Sequence, residues 1–92
     1  MLGAMVEVEL RNKARKYLER MNEPHKSIVV DALNKLEREP PEGDIRPIVG
    51  QKGYLRAKAG DFRILFTIRE NDIFVTNIIP RGQAYNKGEK QK

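Results

Sequence analysis

The chain has 92 residues, 39% hydrophobic and 34% charged, which suits one compact soluble domain rather than a disordered tail. The absence of cysteine excludes disulfides, thiolate nucleophiles and zinc ribbons, and a single histidine cannot build a histidine-based metal site, so no metal or cofactor is expected. No apolar run approaches the roughly 18 residues of a membrane span, and residues 1–10 lack a signal-peptide pattern, which predicts a cytoplasmic protein without a membrane partner.

The first half of the chain predicts one strand followed by two helices. Apolar residues alternate with Glu7 and Glu9 over 4–10, which is the pattern of a short strand with one wet face. Helical spacing of apolar residues then predicts a first helix over about 11–21 and a second one over 28–36. An antiparallel pair of helices is therefore expected after the first strand.

Proline and glycine mark the connections on either side of the second helix. Between the helices, Asn22 is the expected N-cap, and Pro24 falls where a first turn tolerates proline. After the second helix, residues 40–53 are rich in proline and glycine and predict a long surface loop. Three apolar residues are expected to hold this loop against the domain: Ile45, Ile48 and Val49.

The stretch 54–67 predicts a β-hairpin, because two alternating runs flank a glycine-aspartate turn at 60–61. Pairing Ala59 with Phe62 sets a register in which every inward position is apolar, so this face is expected in the core. The opposite face collects the remaining side chains of the hairpin: Tyr54, Arg56, Lys58, Arg63, Leu65 and Thr67.

This second face is strongly cationic. The predicted register puts Lys58 across from Arg63, and such like-charge pairs cost up to ~1 kcal/mol unless an anion binds between them. Residues 51–92 hold nine basic and four acidic residues and carry the whole net charge of +5, whereas residues 1–50 hold nine of each. The imbalance favours a nucleic-acid partner, and a simply solvated cationic face is the alternative.

The last elements complete an α+β fold. A turn at 69–72 precedes a final strand over 73–79, and the polar residues 86–92 are expected to form a flexible tail. The order β-α-α-β-β-β predicts a helical hairpin packed on one face of a mainly antiparallel four-stranded sheet. One domain is expected over 1–92, with its core at about 5–85.

Three segments carry a resemblance to a known family. They are LRAKAGDFRILFTI in the hairpin, EPPEGDIRPIVGQKG before it and PRGQAY after the last strand. With the element order, they resemble the RelE/ParE superfamily of toxins from Val6 to Tyr85, above all its archaeal RelE-type mRNA interferases. The resemblance implies the toxin of a type II toxin-antitoxin system: a metal-independent endoribonuclease that cuts mRNA in the ribosomal decoding site. It also implies a cognate antitoxin, with mRNA and the ribosome as the other partners.

The resemblance also implies particular site residues. Arg63 and Arg81 are expected to stabilise the phosphorane, since a guanidinium fork matches two phosphate oxygens. Tyr85 matches a tyrosine that stacks on or orients the substrate, and Lys58 is the candidate for proton transfer. RNA binding is assigned to Lys52, Tyr54, Arg56 and Lys58. Arginine stands at 56 where well-studied bacterial members have lysine, so the general base stays unassigned and a purely positional mechanism stays open.

Two other functions remain open within the family: a ParE-like poison of DNA gyrase, and a catalytically silent member that binds only nucleic acid and its antitoxin. For single residues, Arg63 has an ion pair with Glu70 or Asp61 as its alternative role. Tyr85 has the alternative of a packing anchor. His25 is expected to be exposed and without function.

Overall fold

Two helices and five strands make up the part of the chain that the computed structural model describes, residues 7–82. The predicted strand residues 4–6, Tyr85 and the tail at 86–92 lie outside this range. The elements, in chain order, are β1 (Val8–Leu10), α1 (Asn12–Arg20), α2 (His25–Leu36), β2 (Ile45–Pro47), β3 (Tyr54–Ala59), β4 (Phe62–Arg69) and β5 (Asp72–Pro80).

The strands form one sheet in the order β1-β5-β4-β3-β2, in which β1 is parallel to β5 and the other pairs are antiparallel. The predicted α+β class and the mainly antiparallel sheet are confirmed. The sheet has five strands instead of the predicted four, because β2 lies inside the predicted loop over 40–53. It is three residues long and ends in Pro47, which lacks a backbone N–H and is tolerated at a sheet edge.

The predicted hairpin register is confirmed: Ala59 pairs with Phe62, and Lys58 pairs with Arg63. The turn between these strands packs directly on α2. Gly60 has a φ of 61°, and a Cβ placed on it would lie 3.1 Å from Cγ2 of Ile28. Glycine therefore serves two purposes here, a left-handed backbone and a close approach to the helix.

The main core lies between the helices and one face of the sheet. Helix α2 contributes Val29, Leu33 and Leu36, which share one face of the helix, and α1 contributes Ala14. The sheet contributes the other buried apolar side chains of this core: Ala57, Ala59, Ile64, Phe66, Ile73, Val75 and Ile78. Within residues 7–82, every buried side chain is apolar.

A second, smaller cluster lies on the face of the sheet turned away from the helices. It consists of Ile48 from the segment after β2, Leu65 from β4 and Ile79 from β5. Ile48 therefore holds the segment 48–53 on the sheet, as predicted. The prediction for Val49 is wrong, since this residue is 80% exposed at the tip of the segment. Ile45 belongs to β2 and packs against the main core.

Helix α2 begins without the predicted cap from Asn22. The residue before the helix is Pro24, and the carboxylate of Glu23 accepts hydrogen bonds from the backbone N–H and the hydroxyl of Ser27. These two bonds hold the pKa of Glu23 below its usual value. The glutamate thus satisfies one of the free N–H groups that every helix start exposes.

Candidate functional site

Cationic side chains form two cross-strand pairs on the face of the sheet that carries the smaller cluster. Lys58 of β3 lies directly opposite Arg63 of β4, and Arg46 of β2 lies directly opposite Arg56 of β3. Directly opposite Cβ atoms in antiparallel strands lie about 4.5–5.5 Å apart. Arg46 was not among the predicted site residues, because the sequence of its short strand resembles that of a loop.

Among residues 7–82, the pair formed by Lys58 and Arg63 has no acidic partner. Within residues 7–82, no carboxylate lies within ion-pair distance of either side chain. The half-buried Arg63 instead donates from Nη1 to the carbonyl oxygens of Gly60 at 3.2 Å and Phe62 at 3.0 Å. The alternative ion pair of Arg63 with Glu70 or Asp61 is therefore not formed.

The pair formed by Arg46 and Arg56 is compensated by Asp44. The Asp44 carboxylate lies 3.3 Å from Nε of Arg46 and 3.9 Å from Nη1 of Arg56. The Arg56 side chain is only 17% exposed, and it also donates to the Asp44 carbonyl oxygen at 3.4 Å. Arg56 thus lies on the predicted face, but its guanidinium joins the start of β2 to β3 and is less available to RNA than was expected.

Arg81 follows β5 and meets the β3–β4 turn. Its backbone N–H donates to the Asp61 carbonyl oxygen at 2.6 Å, and its Nη1 lies 3.9 Å from the Asp61 carboxylate. Both side chains are about two-thirds exposed, at 69% and 68%. Exposed pairs of this kind contribute about 0–1 kcal/mol, so an incoming anion can replace the carboxylate at low cost.

The remaining predicted RNA-binding residues lie toward the other end of β3. Lys52 is exposed in the segment that follows β2, and Tyr54, 36% exposed, begins β3 opposite Thr67. Lys58 lies four positions after Tyr54 along the strand, which corresponds to about 13 Å. The predicted residues therefore divide into a charged end near the turn and an outer end of loop and aromatic side chains. Tyr85 lies outside the described residues.

His25 takes part in a feature that the sequence did not predict. It is half-buried rather than exposed, and its ring packs edge-on against Phe62 with 5.3 Å between centroids. Together with the turn and the end of β5, it lines an open depression formed by His25, Asp61, Phe62, Pro80, Arg81 and Gly82. Its neighbours come from distant parts of the chain, so no local pattern could have identified it.

Residues 7–82 contain neither a membrane-spanning helix nor a cluster of metal ligands. No helix there is long and apolar enough to cross a lipid bilayer. No three side chains of His, Cys, Asp or Glu there come close enough together to hold a metal ion.

The charged end of the sheet is suited to binding phosphate. The guanidinium of Arg63 lies beside the β3–β4 turn through its bond to the Gly60 carbonyl, and Arg81 lies beside the same turn through Asp61. Lys58 and Arg63, which lie directly opposite each other, can thus donate charge-assisted hydrogen bonds to one phosphodiester beside the turn that Arg81 also contacts. Lys58, Arg63 and Arg81 are all cationic, so they favour a transition state that accumulates negative charge.

Comparison with protein families gives one match over most of the chain. Residues 8–85 match the family described as the ParE toxin of the type II toxin-antitoxin system parDE. No curated protein matches the chain.

Comparison with solved structures finds the same fold in several toxin-antitoxin complexes. The archaeal RelE-RelB complex from Pyrococcus horikoshii contains a chain with 24% identity and a TM-score of 0.71, covering 88% of this chain and 100% of that one. The RelBE2 complex of Mycobacterium tuberculosis contains a chain with 22% identity and a TM-score of 0.70, covering 85% of this chain and 100% of that one. The RelB-RelE complex of Methanococcus jannaschii contains a chain with 16% identity and a TM-score of 0.68, covering 86% of this chain and 96% of that one. At these identities the similarity shows the fold alone.

Proposed function

Since the chain belongs to the ParE toxin family of type II toxin-antitoxin systems, within the RelE/ParE superfamily, we propose that it is a ribosome-dependent endoribonuclease. It cuts messenger RNA in the decoding site, and a cognate antitoxin silences it. The observation that carries this proposal is the cross-strand pair of Lys58 and Arg63, which has no acidic partner within residues 7–82. A bound phosphodiester converts the repulsion between the two cations into attraction.

The reaction proceeds by attack of the 2′-hydroxyl on the adjacent phosphate. The phosphorane that forms carries extra negative charge, and fixed cationic donors stabilise it more than they stabilise the bound substrate. Arg63 and Arg81 supply these donors on either side of the β3–β4 turn. Lys52 and Tyr54 bind flanking nucleotides at the outer end of β3, and Tyr85 orients the substrate.

The antitoxin is proposed from the kind of complex that shares this fold. The similar chains from Pyrococcus horikoshii and Methanococcus jannaschii are in complexes of RelE with RelB. A corresponding partner of this chain covers Arg81 or displaces Tyr85, because an accessible cationic site has to be silenced in the resting cell. Coexpression with the neighbouring gene product tests this point. A protein that copurifies but leaves toxicity intact contradicts it.

The activity is tested with purified ribosomes that carry a defined mRNA. The expected result is a cut within the decoding site that leaves a cyclic phosphate and a free 5′-hydroxyl, with little cutting of the same mRNA in the absence of ribosomes. The cut should form equally well in excess chelator. Intact mRNA at stoichiometric protein contradicts the proposal.

A second candidate function is inhibition of DNA gyrase, since the matching family description is that of ParE. Supercoiling of relaxed plasmid by gyrase, measured with and without the protein, distinguishes the two activities. Inhibited supercoiling with intact mRNA favours the gyrase poison. A protein that is inactive in both assays but binds its antitoxin is the silent family member, a role consistent with the engaged Arg56.

A further inference from the structure

The single histidine of the chain lies in the same depression as Arg81. His25 is the first residue of α2, and Phe62 holds its ring in place. Tyr17 of α1 packs on Phe62 in turn, with ring centroids 6.3 Å apart. The imidazole is therefore positioned by aromatic packing at the edge of the charged end of the sheet.

Helix α2 also places His25 near the turn that Arg63 contacts. His25 and Ile28 are three residues apart and so share one face of the helix. Ile28 lies against Gly60, the residue whose carbonyl oxygen accepts the hydrogen bond from Arg63. The β3–β4 turn thus has His25 and Arg81 on one side, and Arg63 with Lys58 on the other.

The reaction under Proposed function needs a proton for the departing 5′-oxygen, and the arginines are poorly suited to supply it because a guanidinium stays protonated. The attacking and leaving oxygens of such a displacement lie on opposite sides of the phosphorus. His25 and Arg81 line one depression, so a phosphodiester that Arg81 binds there lies beside the imidazole. We propose that His25 is the general acid that protonates the 5′-oxygen.

The step balances without a further reactant. The 2′-oxygen forms a bond to phosphorus as its proton passes to solvent water, and the bond between phosphorus and the 5′-oxygen breaks. The departing oxygen takes the proton from the His25 imidazolium, which leaves a 5′-hydroxyl and a neutral imidazole. Solvent then protonates the imidazole again. This inference rests on the proposed ribonuclease activity.

The test compares two substrates that differ in one atom. One is the natural mRNA, and the other carries sulfur in place of the 5′-bridging oxygen at the cut position, since a thiolate leaves without protonation. On the natural mRNA, His25→Gln and His25→Phe should lower the single-turnover rate on the ribosome by about 10²-fold or more. On the sulfur-containing mRNA, both variants should cut within a few-fold of the unmodified protein.

Controls separate proton transfer from folding and from phosphate binding. His25→Phe keeps an aromatic ring against Phe62, and the melting temperature of each variant reports on folding. Lys26→Gln removes a charge from the adjacent residue, which faces Glu23 and Val30 on another side of the helix, and it should leave both rates unchanged. Arg63→Ala should remain slow on both substrates, because it weakens charge stabilisation rather than proton transfer.

The outcomes also separate this inference from the proposed function. Equal rates for His25→Gln and the unmodified protein on natural mRNA overturn the role of His25 and leave the ribonuclease standing. So does a variant that stays equally slow on both substrates. An unmodified protein that cuts neither substrate overturns both. A second readout uses NMR: the imidazole resonances of the only histidine should shift when a 2′-deoxy oligonucleotide binds, and unchanged resonances at saturation contradict contact with the substrate.

Discussion

At the scale of single residues, the cationic pair of Lys58 and Arg63 lowers stability locally, and the proposed function accounts for it. Repulsion between like charges directly opposite each other costs up to ~1 kcal/mol. The two bonds from Arg63 to the carbonyls of Gly60 and Phe62 offset this cost, at about 1 kcal/mol or less for each partly exposed bond. Stability alone therefore does not account for arginine at this position, whereas the proposed binding of phosphate does.

Arg63→Ala should separate catalysis from folding. The free energy of unfolding is expected to stay within about 1 kcal/mol, because the lost hydrogen bonds and the relieved repulsion nearly cancel. The single-turnover cleavage rate should fall on the order of 10²-fold, and Arg81→Ala should have a similar effect. Arg69→Ala, in an exposed position at the far end of β4, is the control and should change neither quantity. An Arg63→Ala protein that is less stable but cleaves normally would identify the arginine as structural.

The candidate site was predictable only where it lies on elements that the sequence identifies. The hairpin register placed Lys58 opposite Arg63, because the inward positions on both strands are apolar and the turn begins with glycine. Arg46 escaped prediction because its strand has three residues and sits among prolines. His25 escaped because its position depends on contact with Phe62, and the turn meets α2 only in the folded chain.

At the scale of elements, the segment after β2 inserts one apolar side chain, Ile48, into the smaller cluster on the sheet. Ile48 is 4% exposed in the cluster with Leu65 and Ile79, and its neighbour Val49 is 80% exposed. The two residues thus have opposite environments at adjacent positions. They form a natural pair for measuring how much the smaller cluster contributes to stability.

Ile48→Ala should destabilise the protein by about 2 kcal/mol, at the lower end of the range for such truncations because the cluster lies under a short segment that can relax. Val49→Ala should change the free energy of unfolding by less than about 0.5 kcal/mol. Urea denaturation of both variants measures the difference. Equal effects of the two substitutions would show that the segment is not held by Ile48.

The start of α2 shows how a charged side chain replaces the expected cap. Glu23 accepts two hydrogen bonds from Ser27, and both favour the ionised carboxylate. A carboxylate whose pKa is lower in the folded state stabilises that state when the pH is above the pKa that the same group has in the unfolded state. This contribution is lost as the pH falls through the folded value.

Ser27→Ala should therefore lower the melting temperature at neutral pH and have less effect once the pH falls below the lowered folded-state pKa of Glu23, where the carboxyl is protonated in both states. The difference in melting temperature between Glu23→Gln and the unmodified protein should also become smaller as the pH falls. The destabilisation of the double variant should not exceed the sum of the two single effects, because both substitutions remove the same interaction between the two side chains. A Ser27→Ala effect that is independent of pH would mean that the glutamate is not responsible.

Most of the fold followed from the sequence, and the differences have local causes. The strong apolar periods of α2, β4 and β5 placed these elements within a few residues of their observed bounds. The bulge between β4 and β5, where the partner changes from Asn77 for Leu65 to Val75 for Phe66, leaves no such signal. An extra residue in one strand shifts the alternation by one, and only pairing with the neighbouring strand reveals it.

At the scale of the whole molecule, charge is sorted between the helical layer and the open face of the sheet. Basic residues of the helices and the segment after them pair with acids four positions away: Arg15 with Glu19, Lys35 with Asp31, and Arg38 with Glu42. On the open face, Asp44 and Asp61 compensate the two flanks, and no carboxylate of residues 7–82 lies within ion-pair distance of Lys58 and Arg63 at the centre. The open face thus concentrates two cations at directly opposite positions, Lys58 and Arg63.

This concentration predicts how RNA affinity depends on salt. The logarithm of RNA affinity falls with the logarithm of salt concentration, with a slope of about −0.7 for each phosphate contact to a single strand. Three contacts, from Lys58, Arg63 and Arg81, therefore give a slope of roughly −2. Lys58→Ala and Arg63→Ala should each reduce the magnitude of this slope by about 0.7. Lys35→Ala, on the helical layer, should leave it unchanged. Affinity for a short single-stranded RNA, measured by anisotropy between low and moderate salt, gives these slopes. A flat dependence for the unmodified protein would mean that the uncompensated cations face solvent alone.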